Sequence, residues 1–276
     1  MKTKVYEMLY ICPVCGERFE KLEGKIVCHK GHSFDRSRRG YYNLLLGKGG
    51  THGDNKDMVL ARRAFLEGGY YEPLSDMVRE LALKYTAPLG RVLDLGCGEG
   101  YYTSAVESAL FRRDGESYVF GYDISKDAVS EAAKKNSRLR LAVFGSYHMP
   151  IEDESVDTAI NIFSPLAIDE TMRVLKRGGV FIMTIPDEEH LFELKQVLYD
   201  TPYKNTPSNT EISGFELLSD LTLRYNMHLD TREKIKTLFM MTPYAYRTKQ
   251  DAANRLYGLS CLDCTAHFRV LAYRKA

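Results

Sequence analysis

The chain has 276 residues, 44% apolar and 27% charged, with a formal net charge of +1. That length buries one large core and leaves room for a small appended module. No apolar run reaches the roughly 18 residues a spanning helix needs, so a membrane span is excluded; the N-terminus lacks a sustained apolar core and a small-residue cleavage site, so an unprocessed cytoplasmic chain is expected.

The charge is uneven. Residues 1–63 hold 13 Lys and Arg against 7 Asp and Glu, net +6, whereas the remaining residues hold 25 against 30, net −5. A basic end of this kind points to a polyanionic partner, because Lys and Arg beside phosphates release condensed counterions.

The first element in chain order is the stretch CPVCGERFEKLEGKIVCHKGH, residues 12–32. Cysteines of a reducing compartment are read as ligands or buried thiols rather than disulfides. The spacing C-x2-C-x12-C-x3-H selects Cys12, Cys15, Cys28 and His32, a Cys3His set suited to one tetrahedral Zn2+. His29 is set aside, since its side chain diverges from that of adjacent Cys28. Gly16 suits the tight knuckle after Cys15. With four protein ligands the site is closed, which makes the zinc structural.

Residues 33–63 connect this module to the rest. GKGGTHGDN reads as a mobile loop by composition, and MVLARRAFLEGG as a helix stopped by two glycines. Arg36, Arg38, Arg39, Lys48, Arg62 and Arg63 interleave with Tyr41 and Tyr42. Such a mixture grips phosphates and stacks bases, or equally supplies inter-domain salt bridges and core tyrosines. The sequence leaves both open.

From residue 91 a strand, a glycine turn and a helix alternate. RVLDLG, SYVFGYDIS, LRLAVFG, SVDTAINIF and GGVFIMTIP read as strands, with helices at CGEGYYTSAVESALF, SKDAVSEAAKKN and DETMRVLKR. This alternation predicts a parallel, doubly wound sheet with helices on both faces, and ligands beyond the carboxyl ends of its strands. The first turn carries Asp94, Gly96, Gly98, Glu99 and Gly100 as D-x-G-x-G-E-G. A dinucleotide fingerprint spaces its glycines G-x-G-x-x-G. The tighter G-x-G-x-G with acids beside it suits a cationic ligand without phosphates, as S-adenosylmethionine (SAM) is. Asp123, ending the second strand, is placed to accept both ribose hydroxyls.

Downstream, DTPYKNTPSNTEISGFE reads as a long connection before a sixth strand, TREKIKTLFMMTPYAYR as an amphipathic helix turning at Pro243, and TAHFRVLAYRK as a last, hairpin-paired strand. Cys261 and Cys264 form a second C-x2-C, read as strand residues rather than ligands.

The chain resembles the bacterial 23S rRNA guanine-N1 methyltransferases, the RlmA (RrmA) family, over nearly its whole length. The stretches that carry the likeness are CPVC with C-x3-H, GYYNLL, ARRAFLEGGYYEPL, VLDLGCGEGYYT, HLFELK and MTPYAYR. The resemblance implies N1 methylation of a guanine in a 23S rRNA hairpin loop. It implies Cys12, Cys15, Cys28 and His32 as zinc ligands, and SAM contacts from Gly98, Glu99, Tyr71 and His190. The expected fold is α/β: a Rossmann-like SAM-dependent methyltransferase, its mostly parallel seven-stranded sheet ending in a reversed strand, plus a small N-terminal zinc-binding module. The expected segments are the zinc module at 1–36, a linker and helical connection at 37–80, and the methyltransferase domain at 81–276. The sequence departs from many SAM domains at Gly145, where an Asp would hydrogen-bond the adenine, so Ser146 or a backbone amide takes that role. A small-molecule methyltransferase and a zinc-bearing RNA-binding protein with a non-catalytic SAM site are the alternatives; the basic end favours RNA, and the intact glycine motif with Asp123 favours catalysis. No membrane partner is expected, and the oligomeric state stays open, a homodimer included.

Guanine N1 carries a proton, so a base near the end of the fourth strand would assist transfer. Asp169 and Glu170 are the candidates, although a helix start attracts acids for capping and dipole reasons too. N1 lies on the Watson–Crick edge, so the base must be unpaired or extruded.

Overall fold

The computed structural model describes residues 8–47, 53–206 and 209–276; Lys48 and most of the glycine-rich loop after it lie outside the described residues. Strands β1 (Phe19–Leu22), β2 (Lys25–Cys28) and β3 (Ser33–Asp35) form a small antiparallel sheet. β4 (Tyr42–Asn43), α1 (Lys56–Glu67) and α2 (Glu72–Tyr85) follow. The Asn55 side chain caps α1 by accepting from the Met58 amide at 3.0 Å, satisfying one of the donors a helix start leaves unpaired.

The alternating part runs β5 (Arg91–Leu95), α3 (Tyr101–Asp114), β6 (Tyr118–Asp123), α4 (Lys126–Lys135), β7 (Arg140–Val143), β8 (Val156–Ile162), α5 (Ile168–Val174) and β9 (Leu175–Pro186). After it come α6 (Phe192–Leu198), β10 (Phe215–Leu229), α7 (Arg232–Met240), a 3-10 turn at Pro243–Tyr246, α8 (Gln250–Gly258) and β11 (Leu262–Lys275). The large sheet has the order β10-β11-β9-β8-β5-β6-β7-β4. β5 to β9 are parallel, while β11 runs antiparallel to both β9 and β10. This is the Rossmann-like methyltransferase arrangement with its reversed last strand.

Three details differ from the sequence-based expectation. The sheet has eight strands, not seven, because linker residues Tyr42 and Asn43 pair in parallel with Ala142 and Val143 at its edge. The gain is burial: Tyr42 and Leu44 become core residues. The helix read as DETMRVLKR stops at Val174, since Leu175 is fully buried and pairs with Val156 as the first residue of β9. α8 has no counterpart in the sequence reading; it buries Ala252, Ala253 and Leu256 along one face.

Two cores flank the sheet. One gathers apolar side chains of α1 to α4 and α6 to α8. The other is closed partly by the N-terminal module, which sends Leu9, Tyr10 and Ile26 against Phe120, Tyr122 and Phe144. The Tyr10 ring meets Phe120 and Phe144 edge-on, each at 5.9 Å, and its hydroxyl donates to the carbonyls of Arg140 (2.7 Å) and Gly121 (3.2 Å). The strand order reverses around β5, so the crevice at the carboxyl ends of β5, β6 and β8 is where a ligand belongs.

Candidate active site and metal cluster

The turn leaving β5 has left-handed backbone at Gly96 (φ 80°), Gly98 (φ 54°) and Gly100 (φ 81°). A Cβ on Gly96 would overlap the Ser164 side chain, whereas a Cβ on Gly98 would meet nothing within 4 Å. Gly98 therefore borders open space, where a ligand can approach the backbone. Asp123 braces the turn: its Oδ2 accepts from the Gly98 amide (3.1 Å) and its Oδ1 from the Ser125 amide (2.8 Å). Each oxygen keeps a second lone pair. Asp94 is buried at the end of β5 and accepts from the Thr103 hydroxyl at 2.5 Å. Nothing in the local sequence marks Thr103 as a site residue; it lies in the first turn of α3 and reaches back to the strand end.

Three carboxyl groups are crowded here. Burial pushes Asp94 up to about 7 and raises Asp123 and Glu99. Glu99 is buried, and its Oε1 has no hydrogen-bond partner among the described residues. A buried carboxylate oxygen without a donor is costly, and a cation carrying N–H groups would satisfy it. This acidic, glycine-lined cradle fits the sulfonium and ammonium of SAM. The same cradle repels a pyrophosphate.

Tyr71 and His190 come from segments far apart in sequence and meet beside this crevice. The Tyr71 hydroxyl lies 3.4 Å from His190 Nε2. The His267 amide donates to His190 Nδ1 at 3.4 Å, which makes Nδ1 the acceptor and places the ring proton on Nε2. Burial lowers the His190 pKa to about 3, so the ring is neutral. Phe163 and Phe268 complete the group, with Phe268 packed edge-on to Tyr71 at 5.0 Å.

The two acids of the following loop have different surroundings. Asp169 is exposed in the first turn of α5. Glu170 is gripped by Arg173 at 2.7 and 2.8 Å and accepts from the Met149 amide at 2.7 Å. Burial alone would raise its pKa, but these donors outweigh it and hold the carboxyl below its usual range. A carboxylate so held is a poor base.

Cys12, Cys15, Cys28 and His32 present ligand atoms within 4.8 Å of one another. The Cys15–Cys28 sulfur separation is 3.7 Å, and His32 Nδ1 lies 3.6 Å from Cys12 Sγ and 3.4 Å from Cys28 Sγ. Two thiolates on a zinc tetrahedron with bonds near 2.3 Å stand about 3.7 Å apart, so the cluster has the dimensions of such an ion's shell. Gly16 (φ 73°) turns the knuckle, its amide donating to the Cys12 carbonyl at 2.8 Å. His29 is exposed, outside the cluster. Cys264 is buried in β11 and Cys261 is exposed; neither belongs to a metal-ligating group among the described residues.

The linker side chains divide. Tyr41 and Tyr42 are core residues, not stacking surfaces. Arg62 pairs with Asp54, and Arg63 with Glu67 and Glu131. Arg36 donates to the Gly40 carbonyl at 3.1 Å. Arg38 and Arg39 are exposed.

Fold and site together define a SAM-dependent methyltransferase carrying an N-terminal zinc ribbon. A family model described as a methyltransferase domain matches residues 87–239, and one described as RlmA, N-terminal, a zinc ribbon, matches residues 10–46. YxjB of Bacillus subtilis, provisionally named a 23S rRNA (guanine-N(1)-)-methyltransferase, is 32% identical over 98% of this chain and 99% of its own. The 23S rRNA (guanine(748)-N(1))-methyltransferase of Streptomyces fradiae is 34% identical over 68% of this chain and 66% of its own. A provisionally assigned methyltransferase of Bacillus halodurans shares the fold, with a TM-score of 0.50 and 13% identity over 73% of this chain and 98% of its own. The chain belongs to the RlmA family of 23S rRNA guanine-N1 methyltransferases. Among the described residues, no helix is long and apolar enough to cross a membrane.

Proposed function

We propose that this chain methylates N1 of a guanine in a hairpin loop of 23S rRNA, acting in the cytoplasm. The observation that carries the reading is the buried acidic glycine turn, with its unpartnered Glu99 oxygen, joined in one chain to a zinc ribbon of the family's type. Asp123 takes the ribose hydroxyls on the lone pairs its two amide donors leave over. Gly98 lets the methionine part lie against the backbone, Glu99 and Asp94 face its cationic groups, and Tyr71 with neutral His190 closes the far side. SAM supplies an electrophilic methyl group on a good leaving group.

The protein's contribution is chiefly to position N1 in line with that methyl carbon, which converts an encounter into a near-attack geometry. The N1 proton must leave, and of the two loop acids Glu170 is committed to Arg173 whereas Asp169 is exposed and has no ion pair among the described residues, so Asp169 is assigned as the acceptor. The zinc ribbon does no chemistry; it orders the basic N-terminal segment against the sheet.

The test is incubation with labelled SAM and 23S rRNA lacking modifications, followed by mapping of reverse-transcription stops, since a methyl on N1 blocks pairing. A stop at one guanine of a hairpin loop is expected. Label transfer only to small molecules, or none at all, would refute the reading.

A further inference from the structure

Phe163 directly follows β8 and has a left-handed backbone, φ 56°. That region is disfavoured for a bulky residue and persists only where surrounding structure enforces it, often at functional sites. Among the described residues the non-glycine positions with positive φ are Leu89, Glu154, Phe163 and Leu191. Two of these four hold one pair of rings: Leu191 immediately follows His190, and the Phe163 ring lies nearly parallel to the His190 ring, 14° between planes and 6.4 Å between centroids.

The strain at Phe163 does not serve burial. The residue is 44% exposed, although it lies beside the apolar Tyr71 and Phe268. Its neighbour Ser164 covers Gly96, so the ring stands at the rim of the glycine turn, between the cofactor crevice and the Tyr71–His190 pair. An exposed aromatic face held by strained backbone at the carboxyl end of β8 is a surface built to receive another flat group.

We infer that Phe163 is the stacking platform for the extruded guanine, setting the plane in which N1 faces the methyl group. This rests on the function proposed above. Stacking against one face is stronger for a purine than for a pyrimidine and needs no hydrogen-bond readout, so the platform contributes purine preference while leaving the Watson–Crick edge free to react.

The test compares Phe163→Leu, which keeps apolar bulk without a ring, Phe163→Asn, which tolerates left-handed backbone, and Phe163→Tyr, which keeps the ring. Substrates are unmodified 23S rRNA and SAM, with SAM affinity from calorimetry and folding from thermal melts. Expected is a loss of about ten- to a hundredfold in kcat/KM for RNA in the Leu and Asn variants. SAM affinity should stay within about threefold, and Phe163→Tyr should recover most of the rate. A Leu variant at the wild-type rate, a Tyr variant as poor as Leu, or a parallel loss of SAM affinity overturns the platform while leaving the function standing. A wild-type protein that transfers no methyl group to 23S rRNA overturns both.

Discussion

At the scale of single residues, the carboxyl groups around the glycine turn make cofactor binding depend on pH. Burial raises Asp94 to about 7 and lifts Asp123 and Glu99 as well, so the free site holds protons that an aqueous carboxylate would have lost. A cationic ligand favours the charged form, and binding expels protons wherever the free site carries them. SAM affinity should therefore rise with pH up to about 7 and level off above it. Calorimetry in buffers of different ionisation enthalpy would register the released protons, and a flat affinity between pH 5 and 8 would contradict the assignment. Asp123→Ala should lower the affinity about ten- to a hundredfold, for it removes both the ribose acceptor and the brace on the Gly98 amide. Glu170 has the opposite sign. Its folded pKa is depressed by Arg173 and the Met149 amide, so its contribution is present above the unfolded value and lost as pH falls through the folded one. Glu170→Gln should cost roughly 1–2 kcal/mol in urea unfolding at pH 7, a figure discounted for partial exposure, and the gap should close in acid. Asp169→Asn should instead leave stability unchanged and slow methyl transfer.

At the scale of elements, the exposed Arg38 and Arg39 lie in the turn between β3 and β4, while Arg62 and Arg63 are already paired with acids. Only exposed cations can exchange counterions for phosphates. Arg38→Gln with Arg39→Gln should thus flatten the dependence of log affinity for RNA on log salt by roughly 1.5, at about 0.7–0.9 for each phosphate no longer neutralised; an unchanged slope would assign both to solvent. Which elements were legible follows from the range of the interactions that make them. The five parallel strands are legible because each is a short run dominated by apolar and β-branched residues, alternating with turn signals and helical segments, and the cradle because Gly96, Gly98 and Glu99 sit together on one turn. The metal cluster was equally local, with all four ligands inside 21 residues. The burial of Tyr41 and Tyr42, the two-residue β4 and the Tyr71–His190 pair could not be read in this way. The pair joins residues 119 apart in sequence, and β4 exists only because Ala142 and Val143 offer an edge. Only the family resemblance points to Tyr71 and His190; nothing in their local sequence marks them.

At the scale of the whole molecule, the zinc ribbon is part of the second core rather than an attachment to it. A segment of this size cannot hold itself together without its metal, so the free energy of zinc binding is folding free energy. Leu9, Tyr10 and Ile26 of that segment are buried against the sheet, each worth about 1.5–3 kcal/mol relative to exposure. Unfolding the ribbon would return them to water and uncover Phe120 and Phe144. It would also break the Tyr10 hydroxyl's bond to the Gly121 carbonyl, and a Cβ built on Gly121 would touch Cys97 of the cofactor turn, so the disturbance reaches that turn through one residue. Chelation of the metal should accordingly lower the melting temperature of the methyltransferase core itself, by roughly 10 °C if several kcal/mol are lost from a domain of this length. His32→Ala should reproduce most of that shift and weaken zinc retention, whereas His29→Ala, which alters an exposed side chain outside the cluster, should do neither. A metal-free chain whose core melts at the temperature of the zinc-loaded one would show that the ribbon merely rests on the sheet.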